Sequence, residues 1–178
     1  SVTLNNDAEA DARTTDEFLN FAWDCGNTPD FDYFLEVFLP NMQQPGMDVK
    51  EQGEYIADNI VRLMSYLRNH QRPAFIKTVY TTPEIWKSLV DFDPTLIIGA
   101  LGGSRQNARS SMQLAYDTTE YGGKVILFGR AVFQEEDPRM MAKVLRGVLD
   151  RKMTVDQALT QYQAQLRSAN PPTGLRSL

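Results

Sequence analysis

The sequence predicts an α/β protein in which four consecutive strand–helix units form a parallel sheet. Four apolar runs of strand length are each followed by a segment with helical spacing of its apolar residues. Helix-start signals such as Thr82-Pro83 and Asp137-Pro138 stand shortly after two of these runs. Continuous apolar strands that alternate with helices are typical of a parallel sheet covered by helices. Two folds fit this order: a small doubly wound sheet, or part of a (β/α)₈ barrel, because a whole barrel usually needs about 250 residues.

The strands are predicted where apolar and aromatic residues cluster between turn residues. The first run, "DYFLEVFLPN", ends at Pro40, and the third, "TLIIGALGG", ends in two glycines. The predicted strands span residues 32–41, 74–80, 95–103 and 124–130.

The helices are predicted from periodicity and from their end signals. Thr82, Ser104 and Asp137 are candidate N-caps, and Thr154 with Gln157 forms a capping box. The predicted helices span residues 11–22, 49–71, 82–92, 104–121 and 137–150, and a last helix follows Thr154.

Composition excludes several classes of protein. The 178 residues are 42% hydrophobic and 23% charged, which indicates a single globular domain over residues 1–178. A net charge of -5 with interspersed signs disfavours nucleic acid or an anionic membrane as the partner. No apolar run has the length of a membrane span, and no signal peptide is visible. A single cysteine, Cys25, and a single histidine predict a cytoplasmic protein without a metal centre.

Lys77 stands in the middle of an otherwise apolar strand, "AFIKTVY". Burial among apolar side chains disfavours the charged ammonium and leaves more of the neutral amine, which can attack a carbonyl to form a Schiff base. The other interpretation is an ion pair with a carboxylate of the neighbouring strand, such as Glu36.

Two other side chains are candidates beside this lysine. Glu36 is predicted to face inward, where it is either an acid/base partner or a counter-ion of Lys77. Tyr80 can donate a hydrogen bond to a substrate, although β-propensity alone also explains an aromatic residue there.

Glycines end the third and fourth predicted strands. Gly102 and Gly103 precede Ser104, and Gly129 precedes Arg130. Glycines let backbone amides approach an anion, and in barrels the loops after the last two strands commonly bind phosphate. A lysine on one strand with glycine-rich ends on the next two predicts a phosphate site near the lysine.

These segments together resemble a known family. The stretches "AFIKTVYTTPE", "TLIIGALGGS" and "KVILFGRAVFQEEDPRMMAKVLRGV" are similar to the last third of the archaeal-type class I fructose-bisphosphate aldolases, in the DeoC/LacD superfamily of (β/α)₈ barrels. The resemblance implies that the four strands are the fifth to eighth of a barrel and that Lys77 is the Schiff-base lysine. It also implies a phosphate site at Gly102, Gly103, Gly129 and Arg130.

The sequence departs from the family at three places. Gly99, Ala100 and Leu101 occupy the stretch where deoxyribose-phosphate aldolases carry a second lysine. Ala131 replaces an asparagine, and Phe38-Leu39-Pro40 stands where the bisphosphate aldolases have a proton-transferring tyrosine. The resemblance therefore implies an aldolase-type lyase without naming its substrate.

The expected function is Schiff-base chemistry on a small phosphorylated carbonyl compound, with no cofactor. The alternatives are a non-catalytic barrel that binds phosphorylated metabolites, and a flavodoxin-like nucleotide-binding domain, for which "LPNMQQPG" is a poor phosphate loop.

The sequence also predicts that the chain is the second half of a barrel. The strands containing Glu36 and Lys124 would be open edges that are apolar and carry little charge. We therefore expect a second copy, or a missing N-terminal half, to complete the sheet.

Overall fold

The computed structural model describes residues 1–41, 46–102 and 107–169. Its strands are β1 (Val2–Thr3), β2 (Phe34–Phe38), β3 (Phe75–Thr78), β4 (Ile98–Leu101) and β5 (Val125–Leu127). Its helices are α1 (Ala8–Gly26), α2 (Val49–Tyr66), α3 (Pro83–Phe92), α4 (Ala108–Glu120), α5 (Arg130–Phe133), α6 (Pro138–Leu149) and α7 (Val155–Ala169), with a 3₁₀ turn at Asn69–Gln71.

The strands form one parallel sheet in the order β1-β2-β3-β4-β5. Each strand therefore pairs with its neighbour in the sequence, and helices connect them. This confirms the predicted α/β class and the four predicted strand–helix units.

The prediction of four strands is wrong by one. Val2–Thr3 pairs with Val37 and Phe38, so β1 covers part of the strand that holds Glu36. In the described part of the chain, the outer strands of the sheet are thus β1 and β5. A two-residue strand is too short to show a periodic pattern, which explains why the sequence did not predict it.

The observed strands are shorter than predicted, mainly at their carboxyl ends. The fourth predicted strand ends at Leu127, and Arg130 begins the short helix α5 with Gly129 as its N-cap. The long helix predicted to Gln71 ends at Tyr66 and is followed by the 3₁₀ turn.

Most helix-start predictions are confirmed by hydrogen bonds. The Thr82 hydroxyl accepts from the Ile85 amide, and the Asp137 carboxylate accepts from the Met140 amide. Thr154 and Gln157 form both bonds of the predicted capping box. The predicted cap at Ser104 is wrong, because α4 begins later and Asn107 caps it. Ser104 itself lies outside the described residues.

Two apolar clusters hold the helices against the sheet. The larger one joins β1 to β4 with α1, α2 and α3, and includes Ile76 and Trp86. The second joins α4, α6 and α7, and includes Met141 and Val144. Ile76 is fully buried on the helix-covered face, whereas Lys77 lies on the opposite face of the same strand.

Gly53 sets the distance between α2 and the segment after β3. A Cβ atom at Gly53 would lie 2.3 Å from the Oγ1 atom of Thr81, next to the cap of α3. We expect Gly53→Ala to lower the free energy of unfolding by about 1–3 kcal/mol, because the extra methyl group overpacks this contact. Denaturant titration of the variant measures the change.

Gly147 in α6 provides the matched control. A Cβ atom there would approach the flexible side chain of Met153, which can move away. Gly147→Ala should therefore be neutral or stabilising, since alanine favours a helix by about 1 kcal/mol over glycine. Equal losses in both variants would show that the contact with Thr81 is not what matters at Gly53.

Among the helices of the described segments, none has the length and hydropathy that a membrane crossing requires.

Candidate active site

An ion pair marks the centre of the face that the helices leave uncovered. Glu36 and Lys77 lie directly opposite each other in the register of β2 and β3. Lys77 Nζ is 2.5 Å from Glu36 Oε1, and each side chain is 20% exposed. Parallel pairing places the two side chains on one face, and the short distance makes this a close, partly buried ion pair. The structure thus brings together two of the residues that the sequence predicted.

Two stacked aromatic rings lie on the amino-end side of the ion pair. Phe34 and Phe75 form the preceding register pair on the same face, and their rings stack at 4.9 Å with an angle of 5° between planes. They lie about 7 Å nearer the amino ends of the strands, at about 3.3 Å per residue. The carboxyl-end side of the ion pair is the side that these rings leave free.

Gly99 lies beside Lys77 on the other neighbouring strand. A Cβ atom at Gly99 would come within 3.1 Å of Val125 Cβ and 3.2 Å of Leu127 Cδ1. The missing side chain leaves room for these two β5 residues beside Gly99. Lys77 consequently has a carboxylate on one side and apolar side chains on the other.

Tyr80 does not share this face. Its ring packs at 5.4 Å from that of Trp86, and it lines a pocket of about 310 Å³ with Leu114 and Asp117 of α4. Burial, with a smaller contribution from Asp117, raises the pKa of Tyr80 to about 12. Its position does not support the predicted role at Lys77, because the side chain faces the helix layer.

The glycine-bearing strand ends lie side by side. Leu101 pairs with Leu127, so Gly102 follows next to Phe128, and a Cβ atom at Gly102 would come within 2.6 Å of that ring. Gly129 has open space around it, and Arg130 is exposed. Gly102 lies about 10 Å further than Lys77 toward the carboxyl ends of the strands. Gly103 and Ser104 lie outside the described residues.

Sequence reasoning proposed Glu36 beside Lys77 but missed three other features of this face. Strand register decides three contacts: Gly99 beside Lys77, Phe34 stacked on Phe75, and Gly102 against Phe128. Alternation along each strand predicts which residues share a face, but only the pairing of strands shows which of them are adjacent.

Within the described ranges, no group of three or more histidine, cysteine, aspartate or glutamate residues is placed to hold a metal ion.

The arrangement is that of a (β/α)₈-barrel fold over part of its length, with the Lys77–Glu36 pair on the sheet face opposite the helices and glycines after two of the strands. Solved aldolase structures share this fold. An archaeal fructose 1,6-bisphosphate aldolase superposes with a TM-score of 0.65 at 18% sequence identity, over 83% of this chain and 56% of that one. The enzyme from Slackia heliotrinireducens superposes with a TM-score of 0.64 at 18% identity, over 92% of this chain and 52% of that one.

A third structure shows an archaeal fructose-1,6-bisphosphate aldolase whose catalytic lysine is covalently bound to the carbinolamine intermediate of its substrate. It has a TM-score of 0.64 and 18% identity, over 83% of this chain and 56% of that one. The chain thus spans about half the length of the structures it matches, and the match confirms the predicted fold class. No family model matches the sequence.

Proposed function

We propose that this chain carries the Schiff-base half of a class I aldolase that acts on a small phosphorylated carbonyl compound. The observation that supports it best is the position of Lys77, on the sheet face opposite the helices, paired with Glu36 and preceding the glycine-bearing strand ends. The fold shared with Schiff-base-forming aldolases is a second support.

The reaction begins at the ion pair. Glu36 takes a proton from the Lys77 ammonium, and the neutral amine adds to the carbonyl carbon of the substrate. The carbinolamine oxygen is protonated and leaves as water, which produces an iminium. Glu36, within hydrogen-bond distance of Nζ, is the proposed carrier of these protons.

Carbon–carbon cleavage then uses the iminium as the electron sink. The bond between the α and β carbons breaks, its electron pair becomes the C=C bond of an enamine, and the iminium nitrogen takes up the electrons of the C=N bond. The hydroxyl on the β carbon loses its proton and becomes the carbonyl of the departing product. The enamine left on Lys77 gains a proton at carbon and is hydrolysed. No metal or organic cofactor is needed, since the lysine itself forms the electron-accepting group.

Phosphate is proposed to bind at the residues that the sequence predicted for it: Gly102, Gly103, Ser104, Gly129 and Arg130. Gly102 and Gly129 follow adjacent strands, and Arg130 adds a positive charge.

Gly129 allows a direct test of this site. Because nothing lies within 4 Å of a Cβ atom there, Gly129→Leu should not disturb the free protein. It should weaken binding of phosphorylated carbonyl compounds by about ten- to a hundred-fold, because one or two hydrogen bonds to a charged group contribute that much to the affinity. Unphosphorylated analogues, measured by the same calorimetric titration, should lose little. Equal losses of affinity for the phosphorylated and unphosphorylated compounds would contradict a phosphate site at this edge.

The chain is proposed to act with further strands that close the sheet. Both outer strands of the described sheet are free to pair, and exposed sheet edges favour association. Those strands would come from the rest of a longer protein or from another copy. We also propose a cytoplasmic location, because the single cysteine of the sequence, Cys25, is a free, buried thiol.

A non-catalytic barrel that binds phosphorylated metabolites is the second candidate. It is favoured by the ion pair itself, since a lysine held by Glu36 can be purely structural. Borohydride reduction in the presence of short aldehydes and ketones, with and without phosphate, separates the two. A stable adduct mapped to Lys77 by mass spectrometry supports the aldolase. Binding of the phosphorylated compounds with no adduct from any of them would establish the binding protein.

A further inference from the structure

Thr78 places a buried hydroxyl on the strand that carries Lys77. It is 2% exposed and faces α2 and α3, where Ile56 and Trp86 line the same small cavity. A hydroxyl in apolar surroundings lowers stability unless it is hydrogen-bonded, and valine would fill the same space without that requirement. The hydroxyl at this position therefore points to a role for its hydrogen bond.

The hydrogen bond of Thr78 joins the two strands that hold the ion pair. Thr78 Oγ1 donates to the carbonyl oxygen of Val37 at 3.1 Å. Val37 and Thr78 are also the final register pair between β2 and β3 in the described sheet, and they directly follow Glu36 and Lys77. The bond thus fastens the two strands one residue beyond the ion pair, at the end where their pairing stops.

The other buried serine and threonine side chains of the described residues lack this arrangement. They are Ser111 and Thr118, and both lie on α4. Thr118 Oγ1 donates to the Leu114 carbonyl of the same helix. Thr118 therefore has the chemistry and burial of Thr78, but its hydroxyl does not join two strands.

The hydrogen bond acts mainly on β3, because β2 is fixed on its other side. Val37 also pairs with Val2 of β1 and is fully buried. Lys77 directly precedes Thr78, so its backbone position follows that of Thr78. Its Nζ atom lies 2.5 Å from Glu36 Oε1, and catalytic groups need to be held within about 0.5 Å of their working geometry. The Thr78 bond supplies such a restraint next to the pair.

We infer that Thr78 is a positioning residue, whose hydroxyl keeps Lys77 within proton-transfer distance of Glu36. Thr78 lies on the helix-covered face, so it acts through Lys77 and not on the substrate. Its effect on the reaction rests on the proposed function, in which Glu36 takes the proton of the Lys77 ammonium before the amine attacks.

Thr78→Val and Thr78→Ser separate the hydroxyl from the packing of this residue. Valine keeps the shape and removes the hydrogen bond, whereas serine keeps the hydrogen bond and removes a buried methyl group. Stopped-flow borohydride trapping on Lys77 uses saturating glycolaldehyde phosphate as the probe. Trapping should slow about tenfold in the valine variant, less than the roughly hundredfold that a displacement of about 1 Å can cost. The serine variant should react at nearly the natural rate.

Thermal unfolding of the same samples shows whether slow trapping follows a loss of stability. The missing methyl group should lower the melting temperature of the serine variant, so the less stable variant is expected to be the more reactive one. A role in stability alone would instead slow the serine variant most. Thr118→Val is the matched control, since it makes the same exchange at a buried site on α4, and it should keep the natural trapping rate.

The ¹⁵Nζ signal of Lys77 reports on the ion pair without the reaction. In protein labelled with ¹⁵N-lysine, this signal is assigned by its absence from Lys77→Arg. It should shift in Thr78→Val, because the contact with the Glu36 carboxylate changes, and it should keep its position in Thr78→Ser.

The outcomes distinguish this inference from the proposed function. Equal trapping rates in the natural protein and the valine variant, or equal slowing in the valine and serine variants, overturn the positioning role and leave the aldolase proposal standing. An Nζ signal that is unchanged in the valine variant also overturns it. If the natural protein forms no adduct while the Nζ signal still follows the hydroxyl, the proposed function fails and Thr78 still positions the pair.

Discussion

The variant Lys77→Arg should abolish the proposed carbon–carbon lyase activity of the intact protein while it keeps its fold. Arginine retains the positive charge that pairs with Glu36, but a guanidinium stays protonated and cannot form a Schiff base. Removal of a covalent catalytic group can lower kcat by about 10⁴-fold to 10⁶-fold, so turnover should fall to the background rate. Steady-state kinetics with any accepted substrate, together with borohydride trapping, measures the loss.

Lys77→Met is the companion variant, because it removes the charge as well as the nucleophile. It leaves Glu36 without its partner, so it should also lower the midpoint of thermal unfolding. A melting temperature near that of the natural protein in the arginine variant, with no activity, separates catalysis from structure. Appreciable turnover or a borohydride adduct in the arginine variant would rule out Lys77 as the nucleophile.

The variant Glu36→Gln should lower kcat by about a hundred- to ten-thousand-fold, the usual contribution of a positioned acid/base group. The amide cannot take the proton of the Lys77 ammonium, so iminium formation slows and less adduct is trapped in a fixed time. The value of KM should change less than kcat, because the proposed role of Glu36 is to take the proton of Lys77, and it lies on the side of Lys77 opposite Gly99. Stopped-flow trapping with borohydride measures the rate of iminium formation separately from turnover.

Glu36→Asp controls for loss of the ion pair. It keeps a carboxylate but shortens the side chain by one methylene, and it should recover part of the rate lost in the glutamine variant. If both variants react at the natural rate, the carboxylate only fixes the position of Lys77.

The sequence was most informative where a local signal dictates the structure. Thr82 with Pro83, Asp137 with Pro138, and Thr154 with Gln157 start helices through bonds between residues three positions apart. Gly122 ends the α4 unit at a φ of +93°, a conformation that L side chains rarely adopt. Such signals need no tertiary context, and for this reason these helix boundaries could be predicted.

The remaining features depend on contacts between distant residues. β1 is a strand only because it pairs with β2, and a segment of two residues has no sequence pattern that predicts such pairing. The pairing of Glu36 with Lys77 could be proposed from two neighbouring strands, but the register that places them opposite could not. The same holds for Gly99, whose importance lies in its position next to Lys77.

The simple strand order also bears on how the chain folds. Each strand pairs with the strand one unit earlier, and the hydrogen bond from Thr78 to Val37 joins residues only 41 positions apart. Contacts of this limited sequence separation form faster than pairings between the two ends of a chain. During synthesis, β2 and β3, and with them the Glu36–Lys77 pair, would therefore leave the ribosome before β4 and β5. Synthesis and sheet growth would proceed in the same direction, with each new strand adding to an edge already in place.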